Sequence, residues 1–277
     1  MFDIGNYLEK ESAKVEKALS SYLPKTSDRP RKLHEAMRYA VLTTGGKRVR
    51  PILALAACQA VKGKETDVLP AACALELIHN YSLVHDDLPC MDDDATRRGK
   101  PTCHKRFDEE TALLTGDALL TLAFEVLARP GRKVMADRQL GSIKLIADAI
   151  GTYGMVGGQA ADLEFQHKDP DLPTIEYINT HKTGALIAVS TRVGGYLGGG
   201  SPSQVEALNR YGRSVGLLFQ IVDDILDHEG YANSIGIPEA RREAETLCQK
   251  AKSYLRPFGQ NGHALAEIAD FVLRRTF

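Results

Sequence analysis

Two groups of aspartates lie beside strongly apolar stretches of this sequence, and their spacing indicates metal chemistry. The first acidic motif places five aspartates within nine positions, from Asp86 to Asp94. The second acidic motif is DDILD, from Asp223 to Asp227. An unpaired charge that faces a protein core costs several kcal/mol. Both motifs therefore need a cationic partner.

The second acidic motif has the simpler geometry. On a helix, Asp223 and Asp227 are about 40° apart around the axis and about 6 Å apart along it, so both project to one side. Gln220 and Gly216 continue the same stripe. Because the sequence places no lysine or arginine within one turn of Asp223, a divalent cation is the expected partner.

The first acidic motif needs a break in its helix. Asp86 and Asp92 are six positions apart, which is about 240° around a regular helix. Pro89 disrupts the helix between them and lets the chain carry Asp92 back towards the same cavity. Carboxylate oxygens suit Mg²⁺, which keeps several waters and binds phosphate oxygens. A single motif of this kind could be a solvated acidic surface, but two motifs in apolar helices favour a magnesium site for a diphosphate.

Two basic segments support a phosphate ligand. Their cations are Lys47, Arg48, Arg50, Arg97, Arg98 and Lys100. The first segment, GGKRVRP from residue 45, precedes an apolar helix, where backbone N–H groups and the helix dipole favour anions. The second segment is RRGK, and arginine forks suit bidentate phosphate contacts. Either segment alone could be an ordinary solvated surface.

Composition narrows the class of protein. The 277 residues carry a net charge of -1 with 26% charged residues, so no overall basic field attracts nucleic acid or anionic lipid. The amino terminus lacks the pattern of a signal or transit peptide. Apolar runs are expected to stop short of the ~20 residues of a membrane span. Five cysteines without a CxxC pair favour a reducing compartment. We therefore expect a cytoplasmic protein without stable membrane insertion and without a nucleic-acid partner.

The spacing of apolar residues predicts an all-α fold. Apolar residues recur at three and four positions through most of the chain, whereas alternating strand patterns are nearly absent. Residues 75–84 and 216–226 are apolar nearly all round, which is typical of helices at the centre of a bundle. We expect a single domain, residues 1–277, with a central active-site cavity.

The sequence resembles the trans-prenyltransferases, the short-chain polyprenyl diphosphate synthases, and within them the bacterial farnesyl diphosphate synthases. The matching segments, in family order across residues 43–230, are GGKRVRP, HNYSLVHDDLPCMDDDATRRGKPTCH, GDALL, GGQAADLE, HKTGAL and FQIVDDILD. The resemblance implies the helical bundle of the isoprenoid synthases and a homodimer. It also implies condensation of isopentenyl diphosphate with an allylic diphosphate, either dimethylallyl or geranyl diphosphate.

The resemblance further implies roles for individual residues. About three Mg²⁺ ions would stabilise the leaving pyrophosphate. The residues that would hold these ions are Asp86, Asp87, Asp92, Asp223, Asp224 and Asp227. Asp224 and Asp227 would act through a bound water or through another ligand of the metal. The diphosphate of isopentenyl diphosphate would be bound by Lys47, Arg50, His79 and Arg98. Arg97 would stabilise the departing pyrophosphate, and the allylic tail and its cation would lie between Lys182, Thr183 and Gln220. The set expected to take part in catalysis is Asp86, Asp87, Arg97, Lys182, Thr183, Gln220 and Asp223.

Structural alternatives remain for several of these residues. His79 could be a hydrogen-bonded core histidine, Lys182 a surface lysine and Gln220 a buried contact between helices. The glycines of MVGGQAADLE are interpreted as sites of close helix packing, since no strand precedes them as in a phosphate-binding loop.

Tyr81 carries the prediction of product length. It lies five residues before Asp86, about 7.5 Å along the helix, where family members that stop at fifteen carbons carry an aromatic residue. The expected product is therefore farnesyl diphosphate. The alternatives are an ordinary core tyrosine, a geranylgeranyl or longer-chain synthase, and a non-catalytic regulatory subunit, although such subunits typically lack one intact acidic motif.

The sequence departs from the family after the second acidic motif. In the family a loop rich in Gly, Lys and Asp follows DDILD, and a lysine of that loop contacts the allylic diphosphate. Here DHEG runs directly into Tyr231, so roughly twenty residues are missing between Gly230 and Tyr231. Either the loop is absent from the protein or a mobile lid is left out of the sequence shown, and we favour the mobile lid.

Overall fold

The computed structural model describes residues 2–43, 46–129, 135–166, 168, 170–228 and 230–275. The α-helices are α1 Ile4–Tyr22, α2 Arg31–Arg38, α3 Val49–Ala60, α4 Glu65–Asp86, α5 Cys103–Arg106, α6 Glu109–Ala128, α7 Ala136–Ile150, α8 Met155–Phe165, α9 Leu172–Ile178, α10 Ala185–Leu197, α11 Pro202–Asp227, α12 Gly230–Ile235, α13 Ile237–Ser253 and α14 His263–Arg274. Two π-helical segments, Tyr39–Thr43 and Asn179–Gly184, and a 3₁₀ segment, Arg256–Gly262, complete the helical elements described.

The strands that the structure describes form one short hairpin. β1 Thr96–Arg97 pairs antiparallel with β2 Lys100–Pro101, with Arg97 opposite Lys100. In the rest of the described chain, helices and their connections account for the fold. The prediction of an all-α fold is therefore confirmed.

The chain divides into two compact units. The first unit comprises Asn6–Ile52 and Leu69–Arg132, and the second comprises Met1–Gly5, Leu53–Val68 and Lys133–Phe277. The first acidic motif belongs to the first unit and the second acidic motif to the second unit. The single domain and its central cavity stay predictions.

The second unit is built around α11. This 26-residue helix begins with a capping box, in which the Ser201 hydroxyl accepts from the Gln204 N–H and the Gln204 side chain accepts from the Ser201 N–H. α10 packs along it, and the Thr191 hydroxyl on α10 donates to the Leu208 carbonyl at 2.8 Å. Val215, Leu218 and most other apolar residues of α11 are buried, as the all-round apolar pattern predicts.

In the first unit, α4 is likewise buried along most of its length up to the first acidic motif. Leu75, Leu77 and Ile78 are fully buried. α6 begins at a side-chain cap, in which Asp108 accepts from the Thr111 N–H at 2.7 Å. α6 in turn contacts α4 close to the first acidic motif, where His85 Nε2 lies 3.0 Å from the Leu113 carbonyl.

The connection after the second acidic motif is short in this sequence. Tyr231 follows Gly230 directly, without the family's loop between them, and the mobile lid stays a prediction. α11 ends at Asp227, His228 adopts a left-handed conformation with φ 58°, and α12 begins at Gly230. Glu229 lies outside the described residues. The turn into Tyr231 is therefore short and direct.

One helix is an exception to the expected interruption of apolar runs. By length and composition alone, α6 could cross a membrane, with a mean hydropathy of 1.5 over its most apolar window. Half of that window is buried inside the protein. A core helix of a globular protein shows the same pattern. The absence of membrane insertion stays a prediction.

Candidate active site

The first acidic motif forms a turn that doubles back onto the end of α4. The Asp92 N–H donates to the Asp86 carbonyl at 2.9 Å, and the Asp93 N–H donates to the Leu88 carbonyl at 3.1 Å. The backbone of Asp92 thus returns to the helix end, as expected from the break at Pro89. Asp92 is exposed and Asp86 is half-buried, so both carboxylates are accessible from solvent.

Asp87 points to a different environment from its neighbours. It is only 4% exposed, and its Oδ1 accepts from Arg97 Nε at 2.6 Å. Arg97 Nη2 donates to Asp94 Oδ2 at 3.0 Å, so two carboxylates hold one guanidinium. Burial raises the pKa of Asp87 to about 6, although the neighbouring Arg97 acts in the opposite direction. In this arrangement Asp87 positions Arg97, and its metal-ligand role stays a prediction.

His79 lies among arginines on the buried side of α4. Burial, and then the charges of Arg50, Arg98, Arg97 and Arg48, lower the pKa of His79 well below its usual value. The imidazole is therefore neutral at pH 7, with cations around it. Burial also lowers the pKa of Arg98, with further contributions from nearby arginines, and Arg98 still carries its charge. Four guanidinium groups near one neutral imidazole favour a highly charged anion such as a diphosphate.

The cations of the basic segment before α3 differ in their exposure to solvent. Lys47 is exposed and Arg50 is half-buried, which suits ligand contact. Gly46 lies so close to the guanidinium groups of Arg48 and Arg98 that a side chain there would clash with both. Gly45, the first residue of the segment, lies outside the described residues.

Arg48 is a structural residue, contrary to its expected place among the phosphate-binding cations. It is 2% exposed, in a left-handed conformation with φ 51°. Its Nη1 donates to Glu76 Oε1 at 2.7 Å, and its Nη2 donates to the Val41 carbonyl at 2.6 Å. The sequence shows the positive charge of Arg48 but not its partner, because Glu76, which neutralises that charge inside the protein, is 28 residues away.

Tyr81 is buried one turn and a half before the first acidic motif. It is 8% exposed and packs edge-on against the ring of His85, with centroids 5.8 Å apart. Burial, followed by the charge of Asp86, raises the pKa of Tyr81 to about 12. The Tyr81 side chain is thus neutral and buried on α4, which suits its predicted role in limiting the length of the product.

The second acidic motif has a protein cation that the sequence did not reveal. Arg275 Nη2 lies 2.6 Å from Asp223 Oδ1, and Asp223 keeps 36% of its side chain exposed. The absence of a lysine or arginine within one turn therefore did not mean the absence of a cationic partner. Asp227 is exposed, and Gln220 is half-buried one turn before Asp223.

Asp224 is tied to the segment that follows α11. Its Oδ2 accepts from the Tyr231 N–H at 2.8 Å and from Asn179 Nδ2 at 3.3 Å. Burial raises the pKa of Asp224, while these two donors lower it. Asp224 therefore anchors α12 and the π-helical segment, and its indirect or water-mediated role in metal binding stays a prediction.

Lys182 and Thr183 lie in the π-helical segment Asn179–Gly184. Such segments are short, and they are frequent at functional sites. Lys182 Nζ donates to Asp162 Oδ2 on α8 at 2.6 Å, so Lys182 is not an unpaired surface lysine. A side chain at Gly158 would overlap the backbone of Lys182, which confirms that this glycine permits close helix packing.

Two functional candidates escaped the sequence analysis. Asp162 lies within the segment GGQAADLE, which was interpreted as packing alone, and its carboxylate four positions after Gly158 was the available signal. Arg275 has no local signal, since its partner lies on another helix.

The residues fit magnesium that arrives with its substrate. Among the described residues, no group of three or more His, Cys, Asp or Glu side chains is arranged to hold a metal ion. Mg²⁺ needs only one or two protein carboxylates when water and phosphate oxygens complete its coordination. Asp92, Asp223 and Asp227 are carboxylates with solvent access, the donor type that Mg²⁺ prefers.

A cavity elsewhere in the second unit does not coincide with this chemistry. It encloses about 570 Å³ and is lined by residues that include His181, Arg192, Arg213 and Lys250. The predicted site residues do not line it, so we do not identify it as the active site.

The helical fold and the two acidic motifs, each with nearby cations, define the class of the all-α prenyltransferases. Residues 30–241 match the family described as polyprenyl synthetase. The chain belongs to this family.

Several named proteins are similar over nearly the whole chain. The heterodimeric geranylgeranyl pyrophosphate synthase large subunit 1 of Arabidopsis thaliana is 42% identical, across 99% of this chain and 80% of its own length. A dimethylallyltranstransferase of Fischerella ambigua is also 42% identical, across 99% and 84%. The crystal structure of an FPP/GFPP synthase from Zymomonas mobilis matches with a TM-score of 0.93 and 39% identity, covering 98% of each chain.

The alignments also bear on the missing loop. They extend over 299 and 295 positions for the first two relatives, although they include only 99% of this 277-residue chain. These relatives therefore carry about twenty residues that this chain lacks. That number is close to the roughly twenty residues of the family's loop that the sequence lacks between Gly230 and Tyr231.

Proposed function

We propose that this prenyltransferase condenses isopentenyl diphosphate with dimethylallyl or geranyl diphosphate and releases farnesyl diphosphate. The observation that carries the proposal is that the first acidic motif combines accessible carboxylates, Asp86 and Asp92, with a guanidinium group, that of Arg97, which Asp87 holds in place. A chain with acidic motifs alone could bind metal without a phosphate. The arginines around His79 add the complementary recognition of an anion.

In the first unit, the residues bind and orient the diphosphates. Asp87 and Asp94 fix the plane of the Arg97 guanidinium, so Arg97 can stabilise charge on a leaving pyrophosphate without reorganising. Lys47, Arg50, His79 and Arg98 would hold the diphosphate of isopentenyl diphosphate. The neutral imidazole can donate a hydrogen bond there without adding charge.

In the second unit, Lys182, Thr183 and Gln220 would border the allylic tail and the cation formed from it. Lys182 is oriented by Asp162, and the π-helical segment holds Thr183 beside it. Magnesium, bound by Asp86, Asp92 and Asp223, would supply Lewis-acid stabilisation of the departing pyrophosphate. The pyrophosphate itself would take the final proton, so the proposal needs no protein general base.

A single assay tests this proposal. The purified chain is incubated with dimethylallyl and isopentenyl diphosphates and MgCl₂, and the products are identified by mass spectrometry. We expect a fifteen-carbon diphosphate and no turnover when EDTA replaces MgCl₂. Failure of the purified chain to form any prenyl product would contradict the proposal and favour a regulatory subunit.

A geranylgeranyl diphosphate synthase is the second candidate, because several similar proteins carry that name. Examples are the Arabidopsis relative and the geranylgeranyl pyrophosphate synthase of Capsicum annuum, 41% identical across 99% of this chain. The buried ring of Tyr81 supports the shorter product. The same assay separates the two, since twenty carbons would replace fifteen.

We also propose a cytoplasmic homodimer, in line with the resemblance and with five cysteines that lack a CxxC pair. One similar protein is named as the large subunit of a heterodimer. Light scattering of the purified chain distinguishes a dimer from a monomer that awaits a different partner.

A further inference from the structure

Arg275 lies directly against the second acidic motif. Its Nη2 lies 2.6 Å from Asp223 Oδ1 and donates to the Phe219 carbonyl at 2.5 Å. Its guanidinium carbon is 3.7 Å from the centroid of the Phe219 ring, close enough for a cation–π contact. The Arg275 guanidinium thus contacts the Asp223 carboxylate, the Phe219 carbonyl and the Phe219 ring, which lie about one turn apart on α11.

The contact is buried but incomplete. The Arg275 side chain is only 6% exposed, whereas its partner Asp223 is 36% exposed. Arg275 Nε is buried and has no hydrogen-bond partner in the described part of the chain. A buried donor without an acceptor weakens the fit of a guanidinium. The site therefore attracts a cation without satisfying this one fully.

The backbone leaves Arg275 room to move. α14 ends at Arg274, and Arg275 itself is extended, with φ -62° and ψ 147°. Its side chain can leave Asp223 by rotation about bonds beyond the helix, without unwinding α14. Arg274, its neighbour, is 74% exposed and lies 3.8 Å from Asp270 instead.

We propose that Arg275 is an internal counter-ion of Asp223, which a magnesium-bound diphosphate must displace before Asp223 can bind metal. The inference rests on the proposed function. Asp223 Oδ1 can give the same lone pairs either to the guanidinium or to Mg²⁺, so the two cations compete for it. The pair keeps the carboxylate neutralised before substrate arrives, and the Arg275 side chain leaves Asp223 when the site fills.

Two other roles for Arg275 make different predictions. If Arg275 only joins α14 to α11, its removal destabilises the protein but leaves metal binding unchanged. If Arg275 binds the diphosphate, its removal weakens metal and diphosphate binding together. Only competition between Arg275 and Mg²⁺ for Asp223 predicts that removal of the Arg275 guanidinium makes the metal bind more tightly.

The test measures thermal melting during a MgCl₂ titration at fixed pyrophosphate. The variants are Arg275→Met, which keeps an apolar stem over Phe219, and Arg274→Met as the matched control. We expect the Mg²⁺ concentration at half-maximal stabilisation to fall roughly tenfold in Arg275→Met, since a charge-assisted hydrogen bond no longer competes. The Arg274→Met midpoint should equal that of the wild type.

Each other outcome has a defined meaning. An unchanged midpoint with a lower melting temperature in Arg275→Met would overturn the competition and leave a structural tie. A raised midpoint would overturn it in favour of a phosphate contact. If the wild type shows no response to magnesium and pyrophosphate, the proposed function fails as well, so the two failures are distinguishable.

A fluorescence measurement observes the displacement itself. The sequence contains no tryptophan, so Phe219→Trp places a single indole beneath Arg275. We expect Mg²⁺ with pyrophosphate to shift its emission, and the shift to vanish in the double variant Phe219→Trp/Arg275→Met. An emission that stays constant while the melting temperature rises would show that Arg275 does not leave, which overturns the proposal.

Discussion

The first acidic motif lies where a helix breaks, whereas the second lies along one unbroken helix, and the two are neutralised in different ways. Asp87 pairs with Arg97, only ten residues further along the chain. Asp223 pairs with Arg275, whose second contact on α11, the Phe219 carbonyl, is 56 residues away in sequence. A local turn thus stabilises the first motif, and tertiary packing stabilises the second.

The two motifs also differ in the positive charge that surrounds them. Around His79 the charges of four arginines together lower the pKa of the imidazole, and the same charges favour an additional anion in the first unit. In the second unit Lys182 is matched by Asp162 and Arg275 by Asp223. The comparison suggests that the first motif is ready for its ligand, while the second must exchange partners to receive it.

Neutralising one aspartate in each motif should give the largest effect. Asp86→Asn and Asp223→Asn are each expected to lower kcat/KM roughly 1,000-fold, because Lewis-acid stabilisation contributes several kcal/mol. Product formation from dimethylallyl and isopentenyl diphosphates measures the loss. Asp148→Asn, an exposed carboxylate of α7, is the control and should retain wild-type activity.

A difference between the two variants would sharpen the comparison. If extra MgCl₂ partly restores Asp86→Asn but not Asp223→Asn, the motifs hold metal with unequal strength. If both retain more than a tenth of the activity, the pairing of the motifs around a metal-bound diphosphate is wrong.

Loss of the buried ion pair between Arg48 and Glu76 should give the second largest effect, on stability. Arg48→Met leaves the buried charge of Glu76 without its cation, with only the Asn80 amide as a hydrogen-bond donor, and we expect the free energy of unfolding to fall by about 3–5 kcal/mol. Urea denaturation monitored by circular dichroism measures it. Arg210→Met breaks an exposed pair with Glu206 and should cost less than ~1 kcal/mol. Equal losses in the two variants would contradict a structural role specific to Arg48.

Tyr81→Ala should change the product more than the fold. Removal of the ring opens space one and a half turns below Asp86, and we expect products of twenty carbons or more beside farnesyl diphosphate. Truncation of a buried aromatic residue also costs about 3–5 kcal/mol of stability. Mass spectrometry of the products is therefore combined with a melting curve of the variant. If a folded Tyr81→Ala enzyme makes no longer chain, Tyr81 is an ordinary core residue.

Sequence reasoning succeeded where periodicity and local backbone rules govern the structure. The apolar pattern of α11 and the break at Pro89 follow from helix geometry and proline chemistry alone, so both could be predicted. Gly158 was correctly interpreted because a glycine without a preceding strand has few roles other than packing. These features depend on neighbours within a few residues.

The errors share one cause, which is that tertiary partners are invisible in a single sequence. Arg48 carries the same charge as Lys47, yet its left-handed backbone turns it inward to Glu76. Asp223 had no nearby cation in sequence, and Arg275 reaches it from just beyond the end of α14.

The smallest effect expected is a change of stability with pH that depends on His79. In the unfolded chain His79 takes up a proton near pH 6.5, whereas burial and the arginines keep its pKa well below that value in the folded protein. Below pH 6.5 the unfolded state therefore binds more protons, so this contribution to stability is complete above pH 6.5 and is lost as the pH falls. The loss should reach about 1.4 kcal/mol per pH unit at most.

Urea denaturation of the wild type and of His79→Gln between pH 8 and pH 5 measures the contribution of His79 to the pH dependence of stability. Each variant is compared with the wild type at the same pH. His79→Gln should lose less stability than the wild type on acidification, because glutamine does not titrate. Ser82→Ala, on the same helix, serves as a non-titrating control whose difference from the wild type should be constant. If the His79→Gln difference is equally constant, His79 is not held neutral by the arginines, and the readiness of the first motif for an anion needs another explanation.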